Sequence, residues 1–231
     1  MTTRTSFEIT AAALKGFLAV IPKEDVRYYL NGLHVDFPNG RLVATDGYRL
    51  IVKKIEPQAD GPAATIPRAL IDQVTRIKCD DPNVVLSLWR ETEQKPDSAG
   101  EVRDVTVLHA ELCRGSGIYR AKDIESRYPD ITRVIPKRVS GELGQFNSKY
   151  LSECSDALSA IANVGKCKFP ACVHSGTENA CVMFFAHEPT LLAVIMPMRD
   201  GAETTDNANS HLKAFQWEPD SVEEIPTAKA A

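Results

Sequence analysis

Apolar and polar positions along the chain predict short strands interrupted by three helices. Residues 6–10 (SFEIT) read as a strand ending at Thr10, a good helix N-cap. Leu14, Phe17, Leu18 and Ile21 then recur at helical spacing over residues 11–20, and Pro22 stops that helix. Three apolar stretches follow, residues 29–37, 41–46 and 48–55, divided at Asn39-Gly40 and Asp46-Gly47, dipeptides that favour tight turns. The same order returns. Residues 63–67 (AATIP) form a strand, Pro67 takes a first-turn position, and Leu70, Val74 and Ile77 mark a helix to about Lys78. After a break over residues 80–83, strands are predicted in 84–89, 105–112 and 117–124, with the polar run 93–100 as a mobile loop. A third copy starts near Gly144: GQF leads into Asn147 and Ser148 as caps. A helix follows through Tyr150, Leu151, Leu158 and Ile161, then strands in 168–175, 180–187 and 191–198. The class is α+β, with three strand-helix-three-strand units that must stack to bury their apolar sheet faces. An unrelated α+β protein with this element order fits the pattern equally well.

Composition narrows the function classes. The 231 residues are 43% hydrophobic and 25% charged, as in ordinary globular domains. The apolar run 191–196 is far short of the roughly 20 residues that cross a bilayer. The opening MTTRTSFEIT has no basic-then-apolar order, so a cytoplasmic location with no membrane partner is expected. The six cysteines (79, 113, 154, 167, 172 and 181) lack zinc-site spacing and are read as core packing. Five scattered histidines, no Walker loop and no G-x-G-x-x-G predict a non-catalytic protein without metal or cofactor. Net charge is −4; six acids against Lys213 and Lys229 in residues 201–231 account for it, leaving the body near neutral. Any nucleic-acid contact therefore needs cations gathered on one surface.

Five strings then carry a resemblance: residues 25–32 (DVRYYLNG), 44–50 (ATDGYRL), 127–136 (RYPDITRVIP), 146–151 (FNSKYL) and 194–199 (VIMPMR). In this order they are similar to the second domain and the last half of the third domain of the bacterial DNA polymerase III beta subunit, the beta sliding clamp family. The resemblance implies the DNA-clamp fold, with helices lining a ring and antiparallel sheets outside. It divides the chain into a clamp domain over 5–136, a half domain over 137–200 and an acidic, flexible tail over 201–231. It implies a processivity factor that encircles duplex DNA without reading sequence and tethers a polymerase and clamp-loader subunits by short peptides. The alternative is a clamp-like decoy or adaptor that binds replication proteins without encircling DNA. The family ring has twelve units, so three per chain imply a homotetramer.

Two residue sets follow from the resemblance. The partner-peptide groove falls on Leu30, Thr45, Gly47, Tyr48, Arg49, Leu50, Pro129, Arg133, Val134, Met196, Pro197, Met198 and Arg199. Leu, Val and Met would form its floor, Gly47 would allow close approach, and the three arginines would anchor polar peptide groups. Tyr48 stands where the family often has histidine, and Asp200 replaces the usual final leucine. The DNA-facing set is Lys15, Lys23, Arg27, Tyr28, Tyr29, Arg68, Arg76, Lys78 and Lys149. Each of these also reads as an ordinary solvated face.

Overall fold

Local chemistry starts each unit. The computed structural model describes residues 4–96, 101–124, 127–164 and 169–198. Lead strand β1 (Thr5–Thr10) runs into α1 (Ala11–Leu18), where Thr10 Oγ1 accepts from the Ala13 N–H at 3.1 Å. That bond satisfies one of the donors a helix start leaves free. The meander β2 (Gly32–Asp36), β3 (Arg41–Thr45) and β4 (Arg49–Lys54) turns at Gly40 and Gly47, both at positive φ (61° and 88°). Glycine adopts that conformation without the steric cost of a Cβ.

The second unit repeats the plan with β5 (Ala63–Pro67), α2 (Arg68–Arg76), β6 (Asn83–Pro96), β7 (Val102–Arg114) and β8 (Gly117–Lys122). The third has α3 (Ser148–Ile161), β9 (Ala171–Ser175), β10 (Asn179–Phe184) and β11 (Leu191–Ile195).

Several expectations change. Pro67 is the N-cap of α2 rather than its first turn. The segment before Gly32 is a 3-10 turn, Tyr28–Leu30, instead of strand. The expected loop after Trp89 is strand as far as Pro96, because β6 and β7 stay in register from Val85↔Cys113 to Pro96↔Val102. Their cross-strand pairs include Thr92↔Thr106, and Lys122 bonds Glu93 at 2.7 Å, so polar residues pair here without a core. Among the described residues between β8 and α3 there is no strand, and the last strand stops at Ile195. Arg199, Cys167, the tip of the expected loop (97–100) and the acidic tail lie outside the described residues.

The sheets do not follow the units. One sheet has the order β1-β6-β7-β8 and the other β5-β2-β3-β4-β11-β10-β9. Units one and two therefore exchange lead strands: β5 lies on β2, and β1 lies on β6. Unit three joins unit one edge to edge, β11 on β4, with Leu191↔Lys53 through Ile195↔Arg49. Helix α1 packs between α2 and α3. One continuous core, including Leu14, Phe17, Leu33, Ile66, Ile71, Leu86, Leu112 and Leu158, fills the space between helices and sheets. A smaller cluster on the other face of the long sheet joins Val43, Leu50, Val52 and Val194 to Ile131, so the segment after β8 crosses the β4–β11 joint. No described helix is long and apolar enough to cross a membrane.

Cys154 and Cys181 are buried, as packing cysteines should be, and burial pushes both thiols up to about 12. Cys79 and Cys113 are half-buried and Cys172 is exposed, so these three depart from that expectation.

Candidate partner-binding groove

The groove lies where units one and three meet. Four segments reach it: the 3-10 turn after α1, the β3–β4 turn, residues 129–134, and the end of β11. They enclose about 270 Å³. Leu30, Leu50, Ile131 and Val194 form a buried floor, while Tyr48, Val134 and Met196 stand exposed at the rim. Met196 N–H donates to Tyr48 O at 2.9 Å, which ties the end of β11 to the turn.

Hydrogen bonds fix the walls. Asp46 Oδ1 accepts from the N–H groups of Tyr48 (2.8 Å) and Arg49 (2.7 Å), and Thr45 Oγ1 donates to Arg49 O at 2.6 Å. This side-chain turn stabilises the Asp-Gly corner without help from the sheet. Arg27 donates from Nε to Asp25 Oδ1 (3.0 Å), and from Nη2 to Asp25 Oδ2 (2.8 Å) and Asp46 O (2.9 Å). Hydrogen bonds from Arg27 hold the Asp25 carboxyl down to about 2. Gly47 is needed there for its positive φ, and a Cβ would also push the Arg27 guanidinium aside.

Leu30, Thr45, Gly47, Tyr48, Arg49, Leu50, Pro129, Val134 and Met196 all line this cavity. Arg133, Pro197 and Met198 do not; Arg133 points to solvent, 85% exposed, 3.6 Å from Asp130. The cavity adds Tyr29, Arg27, Asp130, Ile131 and Val194. Arg27 and Tyr29, expected among the DNA-facing residues, line this cavity. Arg27 is the N-cap of the 3-10 turn and Tyr29 lies within it, a turn that the strand expected over residues 29–37 hid.

Arg49 also differs from expectation. Its side chain is 8% exposed and is used internally. It bonds Asp46 at 2.9 Å and Glu153 of α3, reaches Ala19 O at 3.3 Å, and stacks 4.4 Å from the Tyr150 ring centre. Such a guanidinium is a tie between units, with little left to offer a peptide.

Beside the groove, across residues 129–131, lies a second cavity of about 230 Å³ containing His34, Arg41 and Tyr128. His34 stacks on Tyr128 with centroids 4.2 Å apart, and burial lowers its pKa to about 4.

The basic candidates divide similarly. Arg76 (80% exposed), Lys78, Lys15 and Lys149 stand in solvent on or just beyond the helices; Lys23 and Tyr28 are exposed in the loop after α1. Lys149 is 3.9 Å from Glu153. Arg68 is used within the fold: its Nη1 donates to Leu18 O at 2.8 Å and to Ile21 O, finishing the C-terminus of α1. It is too committed to act as a loose phosphate contact. Among the described residues no cluster of three or more His, Cys, Asp or Glu can hold a metal ion.

Residues 13–103 match the family described as DNA polymerase III beta subunit, central domain. The beta sliding clamp of Caulobacter vibrioides is 32% identical over 129 residues, which are 51% of this chain and 30% of that protein. The chain thus spans about a third of the length of this curated relative. The fold matches a DNA polymerase III subunit beta from Pseudomonas aeruginosa, with a TM-score of 0.60 and 18% identity over 85% of this chain and 67% of that one. It also matches a Bartonella birtlesii DnaN sliding clamp bound to griselimycin, with a TM-score of 0.59 and 21% identity over 84% and 66% of the two chains.

Proposed function

We propose that the chain, which is similar in sequence to the bacterial beta sliding clamps and has their fold, is a processivity clamp that holds replication proteins on duplex DNA. The observation that carries this reading is the groove. An apolar floor, a rim with Tyr48 and Met196, and a single half-exposed cation already neutralised by Asp25 suit a short peptide with apolar anchors and a neutral polar group. A segment built on Gln and Leu or Phe has that chemistry. Polymerase and clamp-loader subunits would bring it, and the work would be done in the cytoplasm.

Encirclement is the second half of the proposal. The clamp domain would be residues 5–136 and the half domain 137–200, with four chains supplying the twelve units of a closed ring. Lys15, Arg76, Lys78 and Lys149 would touch phosphates loosely, as sliding requires. The thinness of this set, with Arg68 spent on α1, favours the adaptor as a second reading. Protein loaded on circular DNA and released on linearisation supports the ring; equal retention on both forms supports the adaptor.

The groove is tested by fluorescence anisotropy with a labelled Gln-Leu-Phe peptide. Val134→Asp adds a charge at the apolar, solvent-reached wall and should weaken binding at least about tenfold, roughly 1.4 kcal/mol. Equal affinity of V134D and the parent protein, or no binding by either, refutes the groove.

A further inference from the structure

Units meet within this chain by two kinds of joint. Units one and two exchange lead strands and pack α1 on α2; units one and three meet edge to edge, β4 on β11. Unit three has made only the second. Its strand β9 ends the seven-stranded sheet among the described residues. Cys172 stands directly opposite Met183 and so shares its face, yet Met183 is 4% exposed and Cys172 is open to solvent. Phe169, three residues earlier, is 80% exposed, and a shallow cavity of about 480 Å³ lined by Ala12, Ser155, Ser159 and Phe169 runs along α3. Among the described residues, nothing covers Cys172 and Phe169 on this side of the unit.

The segment that should lead into α3 has not become a strand. It rests on the end of its own β9, with Gly141 N–H to His174 O at 3.0 Å, Gly176 N–H to Glu142 O at 2.8 Å, and Phe146 edge-on to His174 at 4.8 Å. Leu143 is 84% exposed.

Resting on the clamp reading above, we propose that two copies of this chain join through their third units, each laying residues 143–147 along β9 of the other. The partner is a second copy because the chain already contains the pattern for this joint. In both internal exchanges the residue before the helix meets the first residue of the receiving strand: Pro67↔Gly32 ahead of Arg68, and Thr10↔Asn83 ahead of Ala11. For α3, which begins at Ser148, the same register sets Asn147 on Ala171 and Phe146 on Cys172 of the other copy. Phe146 then holds the position of Ile9 and Ile66, two residues before the helix, and covers the bare sheet face. β9 matches β2, one of the two receiving strands, in length, both having five residues. The contact is reciprocal, so it closes as a dyad and also satisfies the β9 edge.

Full-length Phe146→Cys tests it. Opposite positions on antiparallel strands bring Cβ atoms within about 5 Å, near disulfide reach. Mild oxidation should give a covalent dimer on a non-reducing gel, lost when Cys172→Ser is added. Ser159→Arg, on the open flank of α3, should reduce the sedimenting mass by half without altering the Gln-Leu-Phe peptide affinity. A disulfide within one chain, or an unchanged mass for S159R, overturns the joint. No cross-link in a parent protein that still sediments as four chains overturns this joint alone and leaves the ring. A parent protein that sediments as one chain overturns the joint and the ring, while its peptide affinity reports separately on the groove.

Discussion

Replacing Arg49 with Met tests whether this arginine serves a partner or the fold. Four interactions end on its guanidinium: Asp46, Glu153, Ala19 O and the Tyr150 ring. Breaking a buried ion pair by removing one member costs about 3–5 kcal/mol. Two features move the figure to the low end. Glu153 is 36% exposed and can turn to water, so its share is small. Asp46 keeps its two backbone hydrogen bonds, from Tyr48 and Arg49, which are indifferent to the side chain at position 49. With the stacking on Tyr150 lost as well, the sum is about 3 kcal/mol. For a chain of this size that lowers the melting temperature by roughly 6–12 °C. The assay is urea denaturation followed by tryptophan fluorescence, run beside peptide anisotropy. R49M should shift the midpoint clearly. Peptide affinity should fall only near the new transition. An unchanged midpoint with weakened peptide binding would refute the reasoning and return Arg49 to the partner.

Three further outcomes follow from the same coordinates. A Cβ at Gly16 would lie 2.7 Å from Ala157 O and 2.7 Å from Ile161 Cγ1, so Gly16→Val should force α1 and α3 apart and cost about 2 kcal/mol; a thermal melt equal to the parent's would refute this. His34 titrates at about 4 when folded, below its ordinary 6.5, so the unfolded chain takes up the proton first and stability falls as pH drops from 6.5 towards 4. The slope is at most about 1.4 kcal/mol per pH unit, and His34→Phe should flatten it in urea titrations at pH 7, 6 and 5. Arg76→Glu with Lys78→Glu should weaken DNA binding and its salt dependence while leaving the melting temperature unchanged; Arg68→Gln should do the reverse, because that side chain holds the end of α1.

Element order was legible from the residues. Thr10 and Asn147 accept from the N–H groups of Ala13 and Lys149, and Asn39-Gly40 and Asp46-Gly47 turn the first meander, because caps and positive-φ corners are decided within a few residues. The strings that line the groove were visible too, since RYYL, TDGYRL and PDITRV each bring their own local geometry. Arg133 was less legible: its neighbours in sequence line the cavity, while its own side chain stands in solvent.

Pairing between distant segments was beyond the residues' own reach. Nothing in AATIP says that it completes the sheet of the unit before it, or in LLAVI that it adds to β4. Strand edges offer the same N–H and C=O groups to any partner, so only the packed whole chooses among them. The arginines show the same division. By sequence Arg49 goes to a partner groove and Arg27, Arg68 and Arg76 to DNA. Tertiary contacts give Arg27 to a groove wall, Arg49 to a joint between units and Arg68 to a helix end, leaving Arg76 in water, because a guanidinium taken from solvent must find carboxylates or carbonyls where the fold supplies them.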